Sequence, residues 1–422
     1  MSSPERRPKQ KFLTRPKALF ICATLLAILA IFGHKLPRLS PLPPHLPRPI
    51  SQRVFAPKAA QSTMSTYDYA KERTVAELAV TRAAILTKKV FHSKVKGTVS
   101  KDDASPVTIG DFGAQALIIH AIKSVFPDDE VVGEEEASEL RQNEKLRSTI
   151  WELVNSTRMD DPKIEEQIGG PIASVDAMLD AIDAGNSAGG SKGRIWALDP
   201  IDGTKGFLRG GQYAVCLGLM VDGDVKVGAL GCPNLPEDDA APLTADAGTE
   251  QSDETGKGVL LSGVLGHGAI SRPLTKGELG KSKAIHMRDI TDTKDATFCE
   301  SVEAAHSSHD DQSLIAEKLG ITKPSVRMDS QAKYASIARG AGDIYLRLPV
   351  KASYQEKIWD HAAGDLIVRE AGGQVTDALG KRLDFSKGRT LAENKGVVAA
   401  PAALHPTVLA AVTDVLRSKG KL

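Results

Sequence analysis

Asp199 and Asp202 flank a proline in Asp199-Pro200-Ile201-Asp202-Gly203-Thr204. Proline fixes φ, so a turn following a buried strand over 194–198 can aim both carboxylates and the Ile201 carbonyl at one point. All-oxygen ligands of this kind suit Mg²⁺, which takes few protein carboxylates and completes its shell with water and phosphate. Glu134, in Val131-Val132-Gly133-Glu134-Glu135-Glu136, ends another strand and supplies a bridging carboxylate, and Asp360 opens a helix and supplies a further one. Carboxylates sharing metal ions are the arrangement of multi-metal phosphoryl hydrolysis, in which the cations clamp the attacking water and the leaving oxygen. Gly203-Thr204 then starts a segment whose free N–H groups receive phosphate if it is helical.

Each residue also has an ordinary structural use. A DP step followed by DG is common loop punctuation, Asp111 and Asp360 suit helix N-caps, and three consecutive glutamates suit a solvated face. His306 and His309 lack the Cys or third nearby His of a zinc site, which leaves a structural or substrate-contacting role. The glycine-rich run 189–194 lacks the phosphate-loop spacing and reads as a flexible loop.

The elements that must position these groups follow from periodicity. A helix capped by Thr66 runs to about His92, and a turn-rich loop over Lys101–Asp111 enters a second helix with Ala114, Leu117, Ile118, Ala121, Ile122 and Val125 on one face. Residues 137–193 are charged, then glycine-rich. Tyr213–Met220 and Val225–Leu230 flank an Asp222-Gly223 turn and read as a hairpin. Pro236–Gly258 holds seven acids, one Lys and no aromatic residue and reads as a flexible loop. Strands over 297–302, 343–348 and 374–377 then alternate with helices over 310–319, 331–339 and 360–371.

The chain has 422 residues and a formal net charge of +1. That charge averages two unlike parts: residues 1–63 carry +10 and the remainder −9. So acidic a body is a poor binder of nucleic-acid polymers, and a phosphorylated ligand must be held by a few placed cations or by metal ions. Cys216, Cys232 and Cys299 show no metal spacing and read as buried free thiols. Ala18–Gly33 is an uninterrupted apolar run with basic residues before it and a proline-rich stretch after it. It reads as a membrane anchor, an organelle-targeting (mitochondrial) peptide, or an extension upstream of an alternative start at Met64.

Five stretches together resemble a known family. They are Ser105–Gln115 (SPVTIGDFGAQ), Leu198–Gly210 (LDPIDGTKGFLRG), Ala305–Asp310 (AHSSHD), Asp329–Tyr334 (DSQAKY) and Tyr345–Gly364 (YLRLP to WDHAAG). With Gly133-Glu134-Glu135 they resemble the lithium-sensitive, Mg²⁺-dependent phosphatase superfamily of inositol monophosphatases and fructose-1,6-bisphosphatases, and within it the fungal-type 3′(2′),5′-bisphosphate nucleotidases. The resemblance implies Glu134, Asp199, the Ile201 carbonyl, Asp202 and Asp360 as ligands of two or three Mg²⁺ ions. It implies Asp111 and Thr204 as the pair that orients and deprotonates the attacking water. It implies His306, Ser330, Lys333 and Arg347, with Thr204 and Asp360, as substrate contacts, and inhibition by Li⁺.

The fold this implies is α/β (α+β), layered α/β/α/β/α, with an N-terminal α+β portion over 64–290 and a smaller C-terminal α/β portion over 291–422. The activity it implies is removal of the 3′-phosphate of adenosine 3′,5′-bisphosphate (PAP), and of its sulfated analogue (PAPS), in sulfur assimilation. The body is expected to be a cytoplasmic monomer with no nucleic-acid partner, and its membrane contact, if any, lies in residues 18–33. Two other readings stand beside this one: an inositol phosphate or sugar phosphatase on the same scaffold, and a membrane-tethered phospholigand-binding protein without catalysis.

Overall fold

The computed structural model describes residues 69–95, 105–239, 243, 256–303, 308–348 and 353–422. Residues 1–63, the Thr66 cap, His306 and most of the acidic loop over 236–258 lie outside the described residues. Among those described, no helix is long and apolar enough to cross a membrane.

The chain opens with two long helices, α1 (Ala70–Val95) and α2 (Pro106–Val125). Strand β1 (Glu130–Gly133) follows, and then four short helices: α3 (Ser138–Gln142), α4 (Glu144–Asn155), α5 (Pro162–Gln167) and α6 (Val175–Asp183). Strand β2 (Arg194–Asp202), helix α7 (Thr204–Arg209) and strands β3 (Ala214–Val221), β4 (Asp224–Pro236), β5 (Lys257–Val264), β6 (Ala269–Pro273) and β7 (Lys283–Ile285) come next. These strands form a seven-stranded sheet in chain order, with β1 parallel to β2 and the others antiparallel. The β3–β4 hairpin turns at Asp222-Gly223, where φ is 51° and 80°, the left-handed pair that a tight hairpin demands.

A second, five-stranded sheet is built from β8 (Phe298–Glu300), β9 (Val326–Arg327), β10 (Ile344–Arg347), β11 (Gly373–Thr376) and β12 (Val397–Pro401), in the order β11-β12-β10-β8-β9. Its helices are α8 (His309–Leu319), α9 (Ala332–Ala338), α10 (Ala362–Glu370) and α11 (His405–Ser418).

Side chains alternate across a strand, and each sheet therefore serves two cores. In the first sheet Trp196, Leu198, Leu217 and Leu219 bury against α1 and α2. Ala197, Cys216 and Leu230 face Ala362, Ala363 and Leu366 of α10. A Cβ on Gly228 would stand 2.7 Å from the Ala363 carbonyl oxygen, so the missing side chain lets α10 close onto the sheet. In the second sheet Tyr345, Val397 and Ala399 face α9 and α10, while Leu346, Val398 and Ala400 pack under α8 and α11. The layers are thus α/β/α/β/α. Cys216, Cys232 and Cys299 are buried free thiols, and burial pushes Cys232 and Cys299 up to about 12.

Three expectations need correction, and one stretch that the sequence left without elements gains them. Residues 137–193 contain helices, because short amphipathic turns such as Leu146-Ile150-Val154 hide in a charged sequence. Asn143, Asp161 and Ser174 cap them. The Asp199–Asp202 segment is not a turn after a strand; β2 runs through it. Asp111 is no N-cap: α2 starts at Pro106 behind Ser105, which leaves Asp111 buried inside the helix. Asp360 ends a 3-10 turn (Ile358–Asp360), and α10 begins behind His361.

Candidate active site

Residues three apart on a regular strand point to opposite faces, so Asp199 and Asp202 would diverge. The β2–β3 register prevents this. Asp199 pairs with Cys216 and Asp202 with Ala214, so three steps on β2 oppose two on β3. The extra residue is a β-bulge at Pro200-Ile201, and it returns both aspartates to one face. Proline fits there because a bulge needs no ladder N–H. The Ile201 N–H donates to Asp199 Oδ1 at 3.1 Å, and the Gln331 N–H donates to Asp202 Oδ2 at 2.5 Å. Gly203 follows with φ 91°; a Cβ there would lie 2.9 Å from Ser330 Cβ.

Glu134 leaves the end of β1 beside this bulge. Its neighbour Glu135 is gripped by Gln115 of α2: the amide nitrogen donates to the Glu135 carbonyl at 2.7 Å and the amide oxygen accepts the Glu135 N–H at 3.0 Å. Asp111 stands one helical turn earlier on the same face of α2. Asp360 arrives from the other sheet. Gln331 holds its segment, donating to the Trp359 carbonyl at 2.8 Å and accepting the Gly364 N–H at 2.9 Å.

These groups line a cavity of about 320 Å³. Its lining includes Glu134, Asp199, Ile201, Asp202 and Asp360, together with Ser330, Lys333 and Arg347. Ser330 adopts φ 68°, with its hydroxyl accepting the Ala332 N–H at 3.1 Å and its carbonyl accepting from Lys333 Nζ at 2.9 Å. Arg347 Nε donates to Glu356 Oε1 at 3.1 Å. Glu356 Oε2 lies 3.3 Å from His361 Nε2, and His361 Nδ1 lies 2.9 Å from the Tyr334 hydroxyl. That buried chain fixes where the Arg347 fork points.

The electrostatics of the acidic wall are those of carboxylates without enough counter-charge. Burial, then Glu134, Asp202 and Asp360, raise Asp199 well above the usual range. Burial and Asp202 do the same to Asp360. Asp202 is raised by burial against the pull of Lys333, and Asp111 is raised by burial, Glu135 and Glu134. Glu134 is exposed on the cavity; partial desolvation and then the Glu135 charge push it up to about 7. Burial lowers Lys333 to about 8, opposed by Asp202 and Asp329. Oxygen-only donors that repel one another in a confined space fit a hard divalent cation such as Mg²⁺. Among the described residues, Glu356, Asp360 and His361 also place ligand atoms within 4.8 Å of one another. Glu356 and His361 are already engaged with Arg347 and Tyr334, which favours Asp360 as the group of that trio free to turn to the cavity.

The structure thus brings Glu134, Asp199, Ile201, Asp202, Thr204, Asp360, Ser330, Lys333 and Arg347 to one cavity. Asp111 lies behind it, and no hydrogen bond joins it to Thr204, which is exposed at the first residue of α7. His309 is turned away, with Nε2 3.0 Å from the Ser301 carbonyl. Sequence reasoning missed Gln115, Gln331 and the Glu356–His361–Tyr334 chain. Gln115 had a signal, a lone amide on an otherwise apolar helix face four residues after Asp111.

Comparison with known proteins places these features in context. The model of the inositol monophosphatase family matches residues 66–417. The 3′(2′),5′-bisphosphate nucleotidase of Emericella nidulans is 66% identical over 349 residues, 83% of this chain and 99% of its own. That of Schizosaccharomyces pombe is 50% identical over 82% of this chain and 95% of its own. The solved inositol monophosphatase from Anabaena aligns over 81% of this chain and 95% of its own, at 18% identity and a TM-score of 0.48.

Proposed function

The chain belongs to the inositol monophosphatase family, and from that premise we propose that it is a Mg²⁺-dependent 3′(2′),5′-bisphosphate nucleotidase. It hydrolyses the 3′-phosphate of PAP to give AMP and phosphate, and accepts PAPS. One observation carries the geometric side of this reading: a cavity lined together by the carboxylates Glu134, Asp199, Asp202 and Asp360 and the cations Lys333 and Arg347.

Glu134, Asp199, the Ile201 carbonyl, Asp202 and Asp360 are the residues to hold Mg²⁺, in two or three sites. The bound cations would neutralise phosphate charge and make the attacking water more acidic. Thr204 Oγ1 would accept the proton that the attacking water loses and pass its own to Asp111, whose carboxyl burial makes a better proton acceptor than an exposed one. This transfer requires Thr204 to turn toward α2, against which α7 packs. Lys333 and the Arg347 fork bind the substrate's phosphate groups, Arg347 aimed by Glu356, and His306 and Ser330 contact the nucleotide. Residues 64–290 supply most metal ligands and 291–422 most substrate contacts. Residues 1–63 act as an address for a body that works in the cytoplasm as a monomer.

The test is phosphate release by the full chain from PAP, PAPS and inositol 1-phosphate, each with Mg²⁺ and with chelator. Mg²⁺-dependent turnover of the two nucleotides is expected. Preference for inositol 1-phosphate would replace this reading with the sugar-phosphatase one, and tight nucleotide binding without turnover would replace it with a binding protein.

A further inference from the structure

Arg389 lies in the loop between β11 and β12, and the site as described so far makes no use of it. Its backbone runs beside the segment that carries Asp360. The Ile358 N–H donates to the Arg389 carbonyl at 3.2 Å, the Leu391 N–H donates to the Glu356 carbonyl at 2.8 Å, and Lys357 and Thr390 form an antiparallel bridge. Its side chain reaches the other sheet. One terminal nitrogen donates to the Gly133 carbonyl at 2.6 Å and the other to the Ser187 carbonyl at 2.9 Å. The guanidinium carbon stands 4.9 Å from the centre of the Trp359 ring.

Gly133 immediately precedes Glu134, and Trp359 immediately precedes Asp360. One planar fork therefore clasps the residues next to two carboxylates from distant parts of the chain, Glu134 at the end of β1 and Asp360 in the 3-10 turn before α10. Glu134 and Asp360 both line the cavity, and two carboxylates of like charge repel, so their spacing must be imposed from outside. We infer that Arg389 is a positioning residue that sets the distance between the Glu134 and Asp360 carboxylates, and with it the affinity of the site for a divalent cation. The inference rests on the proposed metal role of those two residues. A lysine cannot reproduce it, because an ammonium lacks the planar fork that donates to two carbonyls while stacking on a ring.

The experiment is calorimetric titration of Mn²⁺ into the metal-free full-length protein, for wild type, Arg389→Met, Arg389→Lys and Asp199→Asn. The KM for PAP at saturating Mg²⁺ and the thermal midpoint in chelator are read alongside. Expected is a Mn²⁺ affinity about 10–100-fold weaker in both Arg389 variants, with the KM for PAP at saturating Mg²⁺ unchanged. Wild-type Mn²⁺ affinity in either folded Arg389 variant would overturn the inference, and so would a KM that rises in step with the lost metal affinity. Should Arg389→Met fail to fold, Arg389→Lys decides alone; failure of both would overturn the inference by showing a structural staple. If wild type takes up no Mn²⁺, or Asp199→Asn takes it up as tightly, the metal-site reading itself fails instead.

Discussion

Glu134→Gln should stabilise the protein in the absence of divalent cations while abolishing its activity in their presence. The Glu134 carboxyl rises from 4.5 to about 7, through burial first and then the Glu135 charge. The folded chain therefore holds this proton at pH values where the unfolded chain has released it, and stability falls as pH rises from about 4.5 to about 7, then levels off. The rise corresponds to about 3 kcal/mol. Because the side chain opens onto the cavity, solvent screening reduces the working figure to about 1–2 kcal/mol. For a body of this size that is a shift of about 2 °C in the thermal midpoint. The assay is thermal unfolding of wild type and variant in chelator at about pH 8 and about pH 5. Glutamine, uncharged, should raise the midpoint at the higher pH and recover little at the lower. A variant less stable than wild type at the higher pH would refute the reasoning, as would an equal gain at both.

Three further outcomes follow from other parts of the fold. Arg82 is buried, paired with Glu165 at 2.9 Å and donating to the Gly170 and Leu117 carbonyls; Arg82→Met strands the carboxylate and should cost about 3–5 kcal/mol by urea unfolding, leaving the KM of the folded fraction unchanged. Asp311 is fully buried and holds Lys419 and Lys421, each at 2.5 Å. Burial raises its carboxyl, but the two lysine bonds outweigh burial and lower it. A depressed carboxylate stabilises above its unfolded pKa and loses that stabilisation as pH falls through the folded value. Replacing both lysines by methionine should therefore cost about 2 kcal/mol near neutral pH, with the difference vanishing in acid. Lys333→Met should raise the KM for PAP by at least about tenfold, since it removes a charge-assisted phosphate contact; an unchanged KM in steady-state kinetics would remove Lys333 from the substrate contacts.

The limits of legibility in this sequence have physical causes. The hairpin at Asp222-Gly223, the buried cysteines and the alternating second half all announce themselves through local chemistry: turn residues, apolar runs and period. The bulge at Pro200-Ile201 does not. A spacing of three between aspartates reads equally as a turn or as two faces of a strand, and only the partner strand's register decides. Asp111 reads as a cap because caps are what aspartates near helix starts usually are. It is instead buried inside α2, which starts five residues earlier at Pro106. Gln331 and Arg389 act entirely through contacts with segments some 30 to 250 residues away in the chain, for which a single sequence holds no local signal. Helices α3 to α6 carry little periodic signal, since each buries no more than three residues.

The central claim is that the bulge aspartates hold the cations that make this cavity a phosphatase site. Phosphate release from PAP by wild type and Asp199→Asn, side by side in Mg²⁺, tests it most directly. Removing one carboxylate from a shared cation site forfeits several kcal/mol of transition-state stabilisation, so the variant should be slower by about a thousandfold or more. Equal rates for the two proteins would contradict the account.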